Sequence, residues 1–245
     1  MNLGQLLFTQ GFGTRRECAA LIAHGLVEIE RRGASAPAGG PDVVVADDAD
    51  FELGDPAGLW FRVRGERWLY HERALIVMHK PAGYECSLKP RHHPSVYSLL
   101  PAPLRTRGVQ PIGRLDEDTT GVLLFTDDGS LVHRLTSPRR HVAKVYEVRC
   151  KHPVDAVLVE RLRAGVLLHD ENETVRASAC EATGEHELRL TLTEGKYHQV
   201  KRMVAAAGNR VEGLERSAFG SIRLDSLAVG TWRWANAEID FPVGR

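Results

Sequence analysis

The 245-residue sequence has no excess of either charge: Lys and Arg total 32, and Asp and Glu total 32. A nucleic-acid partner would therefore have to be held by local basic clusters, because no global field draws it in. Cysteine is scarce. The four residues, Cys18, Cys86, Cys150 and Cys180, lie far apart with no CxxC pair, a pattern that suits reduced thiols in a cytoplasmic protein better than a disulfide framework or a zinc site. No apolar stretch approaches the roughly 20 residues needed to span a bilayer. The opening MNLGQLLFTQGFGTRRE lacks the basic leader and long apolar run of a secretory signal, so a soluble, cytoplasmic protein is expected. No glycine-rich run precedes a Lys-Ser or Lys-Thr, which excludes a Walker-type phosphate loop, and there is no Gly-x-Ser-x-Gly elbow. With 43% hydrophobic residues, the chain can bury one large core or two smaller ones.

The first segment reads as two short helices and a strand. Leu3, Leu6, Leu7 and Gln10 mark the first helix, closed by Gly11 and Gly13. Thr14 followed by Glu17 reads as a capping box that opens the second. That helix carries Cys18, Leu21 and Ile22 on one face and ends at Gly25, and LVEIE then alternates as a strand does. Residues 33–58, with GASAPAGGPD and an acidic run, read as a solvated connection containing a short strand around Val43–Val45. From Trp60 the pattern is mainly strands: ALIVMHKPAG, GVLLFT, KVYEVRC and HELRLTLTEG. Helices are expected over SLVHRLTSP and over HQVKRMVAAAG, where Val200, Met203, Val204 and Ala207 form an apolar stripe. The predicted class is α+β, with a central, mostly antiparallel sheet.

The stretch PIGRLDEDTTGVLLFTDDG concentrates acidic residues around an apolar run. A calcium loop is excluded, because Val122, Leu123, Leu124 and Phe125 stand where oxygen ligands would have to fall. A solvated turn suits Asp127 and Asp128. It suits Asp116 less well, because Leu115 and the strand that follows suggest an anchored backbone. The His92–His93 pair has no third ligand nearby and reads as loop, and no metal site is expected. Met203, Trp232 and Trp234 are read as packing residues.

Thr-Arg-Arg-Glu, Leu-Ile and Gly-x-Val-x-Ile near the start resemble the small S4-type RNA-binding module. GRLDEDTTGVLLFTDDG, taken in order with HKPAGYECS, AKVYEV and EGKYHQVKRM, resembles the pseudouridine synthases, in the branch that acts on ribosomal RNA. The resemblance spans nearly the whole chain. It implies an S4-like α/β module over residues 1–58 and a pseudouridine synthase catalytic domain over 59–245. The implied activity is isomerisation of a uridine inside RNA, replacing the N1–C1′ bond with a C5–C1′ bond, with no metal and no organic cofactor. Asp116 matches the essential aspartate. Elementary chemistry agrees, since a carboxylate can trap or stabilise the ribose cation left by glycosidic cleavage; whether it adds to C1′ or promotes a glycal-type route stays open. By the same resemblance, Tyr146 stacks on the target base and is a candidate for removing the C5 proton. Lys201 pairs with the catalytic carboxylate, and Arg114 helps extrude the uridine, whose C1′ and C5 cannot be approached together inside a paired helix.

Phosphate contacts are expected from Arg15 and Arg16, from Lys80, Lys89 and Arg91 with His92 and His93, from Arg139, Arg140 and Lys144, and from Lys196, Lys201 and Arg202. EGKYHQVKRM and HHPSVYSLLP resemble the small-subunit branch of the family more than the large-subunit one, which implies 16S ribosomal RNA as substrate, free or in an assembling small subunit, and a monomeric protein is expected. 23S ribosomal RNA is the alternative substrate, and transfer RNA is less favoured. Two rivals of other classes are a catalytically silent ribosome-binding or assembly factor and a carboxylate glycosidase with Glu117 or Asp118 as its second acid.

Overall fold

The computed structural model of the chain describes residues 1–31, 42–45, 48–169 and 172–235. They fall into two units, Met1–Ala74 with Leu100–Val109, and Leu75–Leu99 with Gln110 onward. In the first unit, α1 (Leu3–Thr9) and α2 (Arg15–Ala23) precede β1 (Val27–Arg31), β2 (Asp42–Val45), β3 (Trp60–Val63) and β4 (Glu66–Leu69), and α3 (Ala102–Thr106) joins them from later in the chain. The box at the start of α2 forms in both directions. The Glu17 N–H donates to Thr14 Oγ1 at 3.3 Å, and the Thr14 N–H donates to Glu17 Oε2 at 2.7 Å. Leu3, Leu6, Leu7, Cys18 and Ile22 are buried as their spacing requires.

The four strands pair antiparallel in the order β2-β1-β3-β4, with Ile29 opposite Phe61 and Phe61 opposite Trp68. Phe12 packs edge-on against both aromatic rings. This pairing moves the expected boundary. The chain from Trp60 to Leu69, assigned above to the larger domain, completes the first sheet, so the break falls after Ala74 and not after residue 58. The physical reason is that β1 needs a partner on each side, and β2 supplies only one. The strand expected around Val43–Val45 is β2; of the expected connection, 33–41 and 46–47 lie outside the described residues.

The second unit holds β5 (Leu75–Lys80), β6 (Gln110–Pro111), β7 (Thr120–Thr126), α4 (Gly129–Thr136), β8 (Lys144–Cys150), α5 (Ala156–Ala164), β9 (Val166–Leu167), β10 (Thr174–Val175), β11 (Ala179–Ala182), β12 (Glu187–Leu192), α6 (Gln199–Ala206), β13 (Val211–Phe219), β14 (Ile222–Arg223) and β15 (Trp232–Trp234). Its nine-stranded sheet runs β11-β12-β8-β13-β7-β5-β15, with β14 on β13 and β6 on β7. Every pairing is antiparallel except β13 with β7. GVLLFT is apolar on both faces because β7 is central; Val122 to Phe125 are fully buried. Asp128, read as a solvated turn, caps α4 by accepting from the Ser130 and Leu131 N–H groups. Among the described residues no helix is long and apolar enough to cross a membrane.

One register row positions the site. Lys80 on β5 stands opposite Gly121 on β7, Gly121 beside Arg216 on β13, Arg216 opposite Tyr146 on β8, and Tyr146 opposite Leu190 on β12. Partners in register share a face of the sheet, so these five positions form one line across it. Gly121 cannot be otherwise: its φ is +109°, and a Cβ there would lie 2.3 Å from the Arg216 carbonyl oxygen.

Candidate active site

Asp116 sits in the turn that leads into β7, and a lysine from the neighbouring strand fixes that turn. Lys80 is 0% exposed. Its ammonium donates to the carbonyl oxygens of Pro81 at 3.0 Å, Asp116 at 2.9 Å, Glu117 at 3.1 Å and Thr119 at 2.9 Å. The expectation that Lys80 touches RNA phosphate is therefore corrected: a side chain with no exposed surface cannot meet a phosphate, and its donors are already directed at the loop. Burial pushes the Lys80 ammonium below its usual range, against the opposing pull of nearby Cys86, Glu117, Asp118 and Asp116.

The Asp116 side chain, 29% exposed, meets α6. Lys201 Nζ lies 3.2 Å from Asp116 Oδ2 and donates to Asp118 Oδ1 at 2.6 Å. Burial would lower the Lys201 ammonium, but its two carboxylate partners outweigh this and raise it. Burial would likewise raise the Asp118 carboxyl, and the Lys201 hydrogen bond and charge bring it below its usual range instead. His198, at the start of α6, adds a third contact, with Nε2 3.3 Å from Asp116 Oδ1. Its backbone is left-handed (φ 46°, ψ 34°), a conformation uncommon for a non-glycine residue and one that collects at functional sites. The exposed ring of Tyr197 stacks on His198 at 3.8 Å. Sequence reasoning found Lys201 but not His198, and it named Asp118 only as a second acid of the glycosidase rival, not as a partner of Lys201. The one available signal was a histidine three residues before Lys201, the spacing at which side chains share a helix face.

Tyr146 is 8% exposed, on the face and row just described. Two strand spacings separate its backbone from that of Gly121, about 10 Å. Arg114, Arg139 and Arg140 are exposed, as are Lys89, Arg91, His92 and His93. Lys144 and Lys196 are half-buried, and so is Arg202, which donates to the Tyr197 carbonyl at 3.0 Å. Arg15 and Arg16 are exposed on α2 in the first unit.

Glu85 organises the basic loop. Its carboxylate accepts from the backbone N–H groups of Arg91, His92 and His93 at 3.0, 2.8 and 2.9 Å. Those bonds, from His92 first, then His93 and Arg91, hold the carboxyl at about 2. A carboxyl depressed on folding stabilises the loop above its unfolded pKa, near 4.5, and loses that contribution as pH falls towards 2. Amide exchange at Arg91, His92 and His93 should thus stay slow at pH 4 relative to loop amides without side-chain acceptors. Glu85→Gln should speed it severalfold at pH 7; equal exchange in both proteins would show that the carboxylate does not order the loop.

Asp116 is thus held by the Lys201 ammonium on a loop anchored by Lys80, with Tyr146 on the same sheet face as Lys80. The family model described as RNA pseudouridylate synthase matches residues 74–206. The chain belongs to this RNA pseudouridylate synthase family. Ribosomal small subunit pseudouridine synthase A of Escherichia coli (strain K12) is 43% identical over 164 residues, 66% of this chain and 71% of that protein. The protein of the same name in Vibrio cholerae is 37% identical over 239 residues, 97% of each chain. A crystal structure of a pseudouridylate synthase superposes with a TM-score of 0.66 at 30% identity, covering 99% of this chain and 100% of that one. The pseudouridylate synthase region of this chain contains Asp116, Tyr146 and Lys201; Arg216 lies beyond its matched end.

Proposed function

We propose that this protein isomerises a specific uridine of small-subunit (16S) ribosomal RNA to pseudouridine. The observation that carries the reading is the Asp116–Lys201 pair at 3.2 Å, on the loop anchored by Lys80. With the uridine extruded, the N1–C1′ bond breaks and its electron pair leaves with the uracil ring. The Asp116 carboxylate then either bonds to C1′ or assists proton loss from the sugar. The ring turns and C5 bonds to C1′, either as the carboxylate–C1′ bond breaks or as the sugar regains the proton it lost; the C5 proton is lost and N1 takes up a proton, so nothing else is consumed. Lys201 holds the Asp116 carboxylate in a partly buried cleft. Tyr146 offers a ring face to the base and a hydroxyl to the C5 proton, and the exposed Arg114 occupies the vacated stack. Phosphates are met by Arg139, Arg140, Lys144, Lys196 and Arg202, by the Lys89–His93 loop, and by Arg15 and Arg16 of an S4-like first unit. The protein acts as a cytoplasmic monomer, on free RNA or on an assembling subunit.

The glycosidase rival is disfavoured with Asp118 as its second acid. Its second acid must be protonated at neutral pH, with a raised pKa, whereas Asp118 is lowered by Lys201. The test is incubation with unmodified 16S and 23S transcripts, followed by carbodiimide treatment and reverse transcription. One new stop in 16S RNA is expected. A stop only in 23S RNA moves the substrate, release of free uracil restores the glycosidase, and binding with no stop makes the protein an assembly factor. Arg15→Glu with Arg16→Glu should raise the Kd for RNA and flatten its salt dependence; an unchanged Kd removes the first unit from RNA binding.

A further inference from the structure

Arg216 is among the most completely enclosed side chains of the second unit, and nothing above uses it. It is 2% exposed. Its Nε donates to the Val122 carbonyl at 2.8 Å, while the buried Nη2 has no hydrogen-bond partner. Among the described residues no carboxylate forms an ion pair with it. A buried guanidinium is normally paired and fully bonded, because leaving it otherwise costs several kilocalories per mole. Its surroundings make the omission sharper. The half-buried Lys144 lies on the same ring: Lys144 Nζ and Arg216 Cζ each sit 5.3 Å from the Phe219 centroid. Burial, and then the Arg216 charge, push the Lys144 ammonium down to about 8. Two cations thus share one pocket; the Glu194 charge opposes the shift at Lys144, and among the described residues no carboxylate pairs with Arg216.

The position of that pocket indicates which anion it takes. Arg216 is the direct cross-strand partner of Tyr146 and the neighbour of Gly121, so its side chain shares the face on which Lys80 anchors the Asp116 loop. Antiparallel partners place their Cβ atoms about 5 Å apart, within reach of one bound ring. Tyr146, the cross-strand partner of Arg216, presents a ring face that suits a flat ring better than a phosphate.

We propose that Arg216 binds a carbonyl oxygen of the target uracil through its free Nη and stabilises the ring as an anion once it is detached. The inference rests on the isomerase reading and deepens it. When the C1′–N1 bond breaks, its electron pair enters the uracil ring and the negative charge spreads from N1 onto O2 and O4. A fixed donor aimed at one of those oxygens lowers the barrier to cleavage and keeps the ring from diffusing away before C5 reaches C1′.

The test compares wild type, Arg216→Lys and Arg216→Gln in single turnover, on 16S transcripts made with uridine or with 5-fluorouridine. Loss of the starting nucleoside at the target is measured. Fluorine withdraws electrons and makes the detached ring a more stable anion, so cleavage needs less help from the protein. Removing one such donor typically slows a reaction 10²–10³-fold. Arg216→Gln is expected to react about 100-fold more slowly on uridine with RNA affinity within about threefold of wild type, Arg216→Lys should recover part of the rate, and the defect should shrink at least about tenfold on 5-fluorouridine. The ratio of the two rates within one variant does not depend on how much of it is folded, so a destabilised variant still reports. Equal defects on both transcripts, or no defect on uridine, would overturn the proposal and leave Arg216 a packing residue. A wild type that consumes neither nucleoside overturns the isomerase reading itself, and this proposal with it.

Discussion

Asp116→Asn abolishes isomerisation, with an expected fall of at least about 10³-fold, or about 4 kcal/mol in barrier, while fold and RNA affinity stay close to wild type. The amide is nearly isosteric with the carboxylate but can neither bond to C1′ as a nucleophile nor carry the charge that balances a ribose cation. Stability is spared for a reason visible in the contacts. Lys201 keeps its shorter bond to Asp118, at 2.6 Å, so the substitution leaves no ammonium unpaired. The lost contact is partly exposed and worth no more than about 1 kcal/mol. RNA affinity should be unchanged or slightly higher, because a negative charge leaves a surface that meets phosphate. Single-turnover rates, thermal unfolding and filter binding measure the three quantities; a variant within tenfold of the wild-type rate would remove Asp116 from the chemistry.

The second large effect is structural and acts through the same loop. Lys80→Met keeps the volume and removes the donor, leaving the carbonyls of Pro81, Asp116, Glu117 and Thr119 converging on an apolar group. A buried polar group left without its partner costs about 1–3 kcal/mol. Allowing for relaxation of four carbonyls, the loss should be about 3–5 kcal/mol, near the cost of breaking a buried ion pair. For a chain of this size that lowers the melting temperature by about 10 °C. Activity should fall along with stability, even in the folded fraction at low temperature, because Asp116 is no longer held against Lys201. A variant that melts within 2 °C of wild type and keeps its rate would mean that the turn is set by the chain around it and not by this ammonium.

Much of this was legible in the residues. Thr14 and Glu17 announce the start of α2, the alternating leucines of HELRLTLTEG announce β12, and the apolar run of GVLLFT announces a strand covered on both faces. Asp116 and Lys201 are found from motifs, and the structure brings them together although 85 positions separate them in number. Other residues were illegible, each for a physical cause. Lys80 follows an apolar strand and precedes Pro81, where a lysine ordinarily escapes to solvent; its burial depends on carbonyls delivered by a turn more than 35 residues away. The strand β13 has weak alternation, because its centre carries Gly213, Glu215 and Arg216 where apolar residues would advertise it. The hairpin of β3 and β4 looks like the beginning of a domain and is the end of one, since local pattern does not say which sheet a strand joins.

Local structure is what the sequence by itself determined: which segments become helices and strands, and where helices start. Those properties depend on neighbours within a few residues, and periodicity and capping reveal them. Tertiary structure alone decided that Lys80 serves the loop and not the RNA, that Asp118 and His198 join the Asp116 pair, and that Arg216 stands unpaired beside Tyr146. Burial and ion pairing at those positions are set by register across five strands, and register is a property of the whole sheet.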